Sequence, residues 1–180
     1  MLFFETTIKV QHALGESVSI NEFIYHKYLV TVGSVKIIAL FLQDNLKAGE
    51  YITTKQAVLT SIADGNQRII VFRIEKFCKV SKESVVLPES CKVKCNGRIV
   101  KPSVDEIRYV GVLQRPIYLC TLSIRDETGN TFQICLKAFY KRAHTLKAIP
   151  RDAFIDCVAF LRPKDVLGEY DLEFRDYRVT

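Results

Sequence analysis

The run from Arg115 to Leu146 constrains the fold of this 180-residue chain more than any other. An alternating apolar stretch, Arg115 to Asp126, meets a short loop, Glu127-Thr128-Gly129-Asn130, and a second alternating stretch follows from Thr131. Two such runs around an Asp/Gly/Asn loop predict a β-hairpin. Alternation assigns its faces. Tyr118, Cys120, Leu122 and Ile124 point inward, as do Phe132, Ile134 and Leu136 across the turn. Leu119, Thr121, Ser123, Arg125, Thr131, Gln133, Cys135 and Lys137 point outward. Ala138 to Leu146 then has helical character. It is too short to be a stable helix alone and must pack on something.

The rest of the chain reads as further strands. Ile8 and Val10, with Phe3 and Phe4 before them, mark a first strand that ends where Gly15 to Asn21 turns polar. Phe23 to Val32, Val35 to Leu42, Tyr51 to Ile62 and Arg68 to Phe77 follow, the last two joined by the tight-turn signal Asp64-Gly65-Asn66. A polar segment around Pro88 divides the chain into residues 1–82 and 91–180. Beyond it Cys91, Val93 and Cys95 alternate with Lys92 and Lys94. Asn96-Gly97 would suit a hairpin turn, but a bulge in one long, bent strand running to Val100 is the preferred reading. Pro102 to Gln114 reads as a loop, Ala153 to Leu161 as a strand, and Tyr170 to Val179 as the last strand.

Each half therefore offers about five strands, with a helix-like segment between the third and fourth strands of the second half only. The expected class is all-β: two small five-stranded barrels in tandem. Five strands with a helix at that position resemble the OB-fold, a Greek-key barrel that commonly binds oligonucleotides or oligosaccharides. The resemblance covers Cys91 to Val179 well and Met1 to Val80 less well. In overall layout the chain resembles tandem OB-fold proteins of the single-stranded-DNA-binding and replication-protein-A type. That resemblance implies single-stranded nucleic-acid binding, DNA above all, in replication, repair or telomere maintenance. The alternative is a structural OB subunit that holds other proteins in a DNA-maintenance complex.

Charge permits this reading without demanding it. The net charge is +6 and the pI near 9.0, from interspersed Lys and Arg. No run approaches the roughly 18–20 apolar residues that span a bilayer, and Met1 to Thr7 does not read as a signal peptide. Six cysteines, mostly within apolar runs, read as reduced core thiols. The expectation is an intracellular protein, nuclear in a eukaryote. Cys91 and Cys95 are the one metal-like spacing. On a straight strand they stand roughly 13 Å apart, too far for one zinc ion. No nucleophile elbow, P-loop or dinucleotide fingerprint is present. No enzyme activity, cofactor or small-molecule substrate is expected.

Candidate contacts to a strand are Lys or Arg for phosphates and outward rings for bases. In Ala153 to Leu161 the odd positions are uniformly apolar, which turns Phe154, Phe160 and Arg162 outward. Those rings would stack on bases or pack against the first half or a partner protein. Arg125 and Lys137 lie on the outer face of the central hairpin. Tyr140, Lys141 and Arg142 follow Phe139, which is read as a plug at the barrel bottom. Arg108, Tyr109 and Arg115 sit between strands one and two of the second half, and Lys164 between strands four and five. These two loops flank the usual OB groove.

Overall fold

A computed structural model describes residues 6–42, 45–55, 57–85, 88–126 and 128–180. Phe3 and Phe4 lie outside the described residues. The first sheet comprises β1 (Thr6–Ile20), β2 (Phe23–Val32), β3 (Val35–Phe41), β4 (Tyr51–Thr54), β5 (Ala57–Asp64), β6 (Gln67–Ile74) and β7 (Cys78–Val80). Its order is β5-β6-β3-β2-β1-β4-β7, antiparallel except for the parallel pair β3–β6. The second comprises β8 (Lys92–Val100), β9 (Arg108–Val110), β10 (Arg115–Arg125), β11 (Thr131–Phe139), β12 (Phe154–Pro163) and β13 (Tyr170–Val179), with α1 (Lys141–Ala148) between β11 and β12. Its order is β11-β13-β12-β8-β10-β9, and β10 also pairs with β11. That last pairing closes a five-strand ring, the OB barrel, with its parallel pair at β11–β13.

The barrel closes because one strand bends to serve two neighbours. β8 pairs with β12 over Lys92–Arg98 and with β10 over Arg98–Val100. Gly97 sits in the bend, where a Cβ would lie 2.6 Å from the Ser123 carbonyl oxygen. Asn96-Gly97 is thus a point of close approach within one bent strand, as expected, but the expected bulge is not there: the register with β12 runs unbroken through Asn96 and Gly97. In the first sheet the same ring is completed differently. β4 pairs with β1 and β5 pairs with β6. Only two residues of chain separate β4 from β5, so this barrel closes through the backbone. The expected single strand Tyr51 to Ile62 is divided there.

Two other expectations are corrected. Of the expected turn from Gly15 to Asn21, Gly15 to Ile20 is strand: β1 continues to Ile20, with bulges after Val10 and after Ala13. Gly15 takes φ +72° within that stretch. The turn falls at Asn21 and Glu22, both with positive φ, the conformation of a two-residue hairpin. Pro102 to Gln114 contains a strand, β9, hydrogen-bonded to the start of β10.

Inward residues of both sheets and of α1 form the core, including Tyr28, Phe41 and Phe72, then Tyr118, Leu136 and Phe174. Ala143 and Leu146 of α1 join it and close the barrel bottom. A second cluster lies on the outer side of the first barrel. Tyr25, Ile38, Leu40, Ile62, Ile69 and Val71 are buried there beneath Leu14, Val18 and Ile20 of the bulged β1 arm. Lys27 is buried beside it, paired with Glu16 at 2.6 Å and Asp64 at 3.5 Å.

The second barrel also rests on the first. The Ile70 N–H donates to the Gly168 carbonyl (2.9 Å), and the Tyr170 hydroxyl donates to the Lys36 carbonyl (2.8 Å). Thr60 Oγ1 donates to Asp126 Oδ2 at 3.2 Å. A Cβ on Gly168, which has φ +92°, would lie 2.8 Å from Ile69 Cβ. The loop between β12 and β13 is therefore held against the first barrel.

Candidate nucleic-acid interface

The outer face of the second barrel carries rings alternating with guanidinium groups. Alternation places Phe139 beside Lys137 on the outer face of β11, paired with Ile117 of β10, while its neighbour Ala138 is core. Phe139 is half-buried and is not the plug; Ala143, Leu146 and Ile149 fill that role. The central hairpin therefore does present a ring outward, one the sequence reading assigned inward. The signal was the strand alternation itself, carried one step past Lys137.

Tyr140 follows at the junction of β11 and α1. Its backbone has φ 56° and ψ −133°, a region in which a bulky side chain is a genuine outlier. Two hydrogen bonds hold it there: the Tyr140 N–H donates to the Pro116 carbonyl (2.9 Å), and its carbonyl accepts from the Ala143 N–H (3.0 Å). The ring is 52% exposed, with the Arg115 guanidinium 5.8 Å from its centroid. Such strain persists where the surrounding structure over-determines it, often at functional sites.

Across β13 the pattern repeats. The Arg175 guanidinium lies 4.2 Å from the Phe160 centroid, and that of Arg162 lies 5.5 Å away. Arg142 Nε donates to the Arg175 carbonyl (3.1 Å), which links the start of α1 to β13. A cleft of about 180 Å³ between them is lined by Phe139, Tyr140, Arg142, Glu173, Phe174 and Arg175. The row Arg115, Tyr140, Phe139, Arg175, Phe160, Arg162 thus spans four strands. Sequence reasoning missed Arg175. Its approach to Phe160 depends on the β12–β13 register, which local alternation does not encode.

Several candidate cations are already matched to carboxylates. Lys137 Nζ pairs with Asp171 at 2.5 Å, and the hydrogen bond to that carboxylate raises the Lys137 pKa. Lys164 lies 3.6 Å from Asp171 and 4.0 Å from Glu169. Arg162 and Arg175 both reach Glu173, at 2.6 and 2.5 Å. These ion pairs reduce the positive field at the β13 side of the face. The cations on the other side are Arg108, Arg115, Arg125, Lys141 and Arg142, all exposed. Phe154 is 46% exposed, near the far end of β12, and the Thr180 N–H donates to its carbonyl.

The β9–β10 hairpin flanks this face and carries Arg108 and Tyr109. Its root is fixed by a polar lock. The Tyr118 hydroxyl donates to Asp105 Oδ1 (2.7 Å), and Lys101 Nζ donates to Asp105 Oδ2 (3.1 Å) and to the Lys147 carbonyl (2.6 Å). The Tyr118 hydrogen bond, with the Lys101 contact, holds the Asp105 carboxyl below the usual carboxylate range. Burial and that same carboxylate push the Tyr118 hydroxyl well above its usual range.

The buried thiols of the second barrel offer little nucleophilic chemistry. Cys91 and Cys120 are buried, and burial pushes each to about 12. Cys95 faces Cys157 across β8–β12 inside the barrel, and its pKa is raised by the Cys157 thiol and by burial. Among the described residues no group of three or more His, Cys, Asp or Glu side chains is placed to hold a metal ion. No helix among them is long and apolar enough to cross a membrane.

No protein-family model matches the sequence, and no curated protein matches it. Solved structures do match in fold. The wild-type single-stranded DNA binding protein from Thermus aquaticus is similar over 99% of this chain and 91% of that one, with a TM-score of 0.68 and 12% identity. A deletion mutant of the same protein gives a TM-score of 0.71 at 12% identity, over 99% and 94% of the two chains. The similarity extends over both barrels, so the chain has the tandem OB fold of that protein.

Proposed function

We propose that this protein binds single-stranded DNA along the outer face of its second barrel. The observation that carries the reading is the row of Tyr140, Phe139 and Phe160 interleaved with Arg115, Arg175 and Arg162. Single strands are held by a basic track for phosphates and by rings on which successive bases stack, each ring contributing roughly 1–3 kcal/mol. The aromatic faces suit stacking that tolerates any base. Arg108, Arg115, Lys141 and Arg142, which form no ion pair among the described residues, supply phosphate contacts. The tandem OB fold shared with a single-stranded DNA binding protein supports the same reading.

The cellular setting we propose is DNA replication. Repair and telomere maintenance are further settings in which single strands persist, and in a eukaryote these would place the protein in the nucleus. The reading assigns no catalytic residue and needs no cofactor.

Fluorescence anisotropy with a labelled oligothymidylate across a salt series tests it. Four phosphate contacts on a single strand give a slope of log K against log salt of about −3. Replacing Arg115 and Arg142 with alanine should flatten that slope by about 1.4. An absence of binding to any single-stranded oligonucleotide at low salt would end the proposal.

A structural-subunit role has one observation of its own. Phe23 and Ile24 project from the tip of the β1–β2 hairpin, 59% and 61% exposed, remote in sequence from the proposed groove. Exposed apolar surface marks protein contacts where it forms a contiguous patch, and these two side chains are where such a patch would be centred. If the tip holds a partner or a second copy, Phe23→Ser with Ile24→Ser lowers the assembled mass in sedimentation and leaves oligonucleotide affinity unchanged.

A further inference from the structure

Among the described residues, the most exposed apolar side chains stand at the tip of the β9–β10 hairpin. The turn is Gly111-Val112-Leu113-Gln114, closed by the Gln114 N–H to the Gly111 carbonyl (3.1 Å), with positive φ at Gly111 and Gln114. Its central positions are ones that Gly, Asn, Asp, Ser or Pro usually occupy. Here they hold Val112, 99% exposed, and Leu113, 71% exposed. Neither side chain can contribute much to the fold at that exposure.

Three features indicate what the tip meets. First, charge: Arg108 and Arg115 flank the tip, and no acidic residue occurs from Ile107 to Arg125. Of the two carboxylates at the root, Asp105 is engaged by Lys101 and Tyr118, and Glu106 lies beside Ile107 and Tyr109 at the α1 side, away from the tip. The surroundings therefore favour an anionic partner. Second, stiffness: the root lock, the β9–β10 ladder and the Tyr140 bond to Pro116 fix the direction of the hairpin. Third, position: Arg115, over the Tyr140 ring, pairs across the ladder with Val110. At about 3.3 Å per strand residue the tip stands roughly 7 Å beyond that ring. An anionic ligand with a flat apolar face at the end of a strand lying in the groove is the terminal base pair of a duplex.

We propose that Val112 and Leu113 cover the exposed face of that terminal base pair, so that the protein recognises junctions between single-stranded and duplex DNA. This rests on the groove reading above and adds a preference that the groove does not supply. Apolar side chains inserted at base steps are an established mode of contact with DNA. Here the base face is already open, so no pair must be broken.

The test compares three ligands of equal tail length: a single strand alone, the same strand as a 5′ tail on a hairpin duplex, and as a 3′ tail. A groove of fixed polarity places only one tail end under the tip. One tailed duplex should bind about tenfold tighter than the bare strand, the affinity expected from partial burial of two aliphatic side chains. Val112→Ser with Leu113→Ser should erase that gain and leave bare-strand affinity within about twofold of wild type. Both sites lie in an exposed turn, so the variant keeps its fold. Equal affinity for all three ligands, or a gain that survives the substitutions, overturns the junction proposal and leaves the groove standing. A shift from dimer to monomer in the variant also overturns it, by assigning the tip to self-association. No binding to any of the three at low salt overturns the groove and the tip together.

Discussion

Replacing Tyr140 with glycine should separate binding from stability, because the residue holds its ring outward at a backbone cost. Its φ of 56° and ψ of −133° are expected to cost about 1–3 kcal/mol for a residue with a Cβ. Glycine removes that strain and adds about 0.5–1 kcal/mol of lost chain entropy. The ring is 52% exposed, so deleting it forfeits about 1 kcal/mol of packing, roughly half the contribution of a buried aromatic side chain. These contributions nearly cancel in Tyr140→Gly. In Tyr140→Ala the packing is lost and the strain remains, so glycine should be the more stable variant by roughly 0.5–2 kcal/mol. In a chain of this length that separates the two melting temperatures by about 1–8 °C. Binding should not follow the same order. Both variants lose the stacking ring, and both should weaken oligonucleotide affinity by roughly 5- to 150-fold. Thermal unfolding and anisotropy on the same preparations read both quantities. A glycine variant less stable than the alanine variant would refute the strain argument. A glycine variant that binds like wild type would remove Tyr140 from the interface.

Three further outcomes follow from particular contacts. Glu173→Gln removes the charge shared by Arg162 and Arg175 beside Phe160, so oligonucleotide affinity should rise several-fold at low salt, with a steeper salt slope. Unchanged affinity would show that the strand avoids the β12–β13 side of the face. Gly97→Ala forces a Cβ against the Ser123 carbonyl and Leu122; a loss of about 1–3 kcal/mol is expected in denaturant unfolding, and a neutral result would mean that β8 and β10 can part without cost. The folded pKa of Asp105 lies below its unfolded value, so its contribution to stability is present above about pH 4 and is lost as pH falls through the folded pKa. Asp105→Asn should therefore flatten the acid limb of the stability profile, measured by denaturant unfolding from pH 6 to pH 2.

The barrel strands that alternate strongly were legible from residues alone. Phe23 to Val32 and Tyr170 to Val179 match β2 and β13 at both ends, because apolar alternation and flanking turn residues agree there. Three kinds of feature were not legible. The β1 arm past Gly15 is polar on one face and bulged, so its pattern mimics a turn. β9 is three residues long and owes its strand character to pairing with β10. The start of α1 carries no glycine to mark the left-handed residue, which is Tyr140, and that concealed the outward direction of Phe139. The site showed the same division. The outward direction of Phe160 and Lys137 follows from local alternation. Their partners, Arg175 and Asp171, come from a strand more than ten residues away in sequence, and only its register delivers them.

The covered outer side of the first barrel sets how densely the protein would coat a strand. The β1 arm and the loop carrying Gly168 cover the described surface of β3, β5 and β6, so on the reading proposed above each chain would present its second barrel alone to the strand. One OB groove spans about 4–16 nucleotides. Protecting a given length of DNA then takes about twice as many chains as two open grooves would require, and the bulk of the first barrel limits how closely neighbouring chains can follow one another.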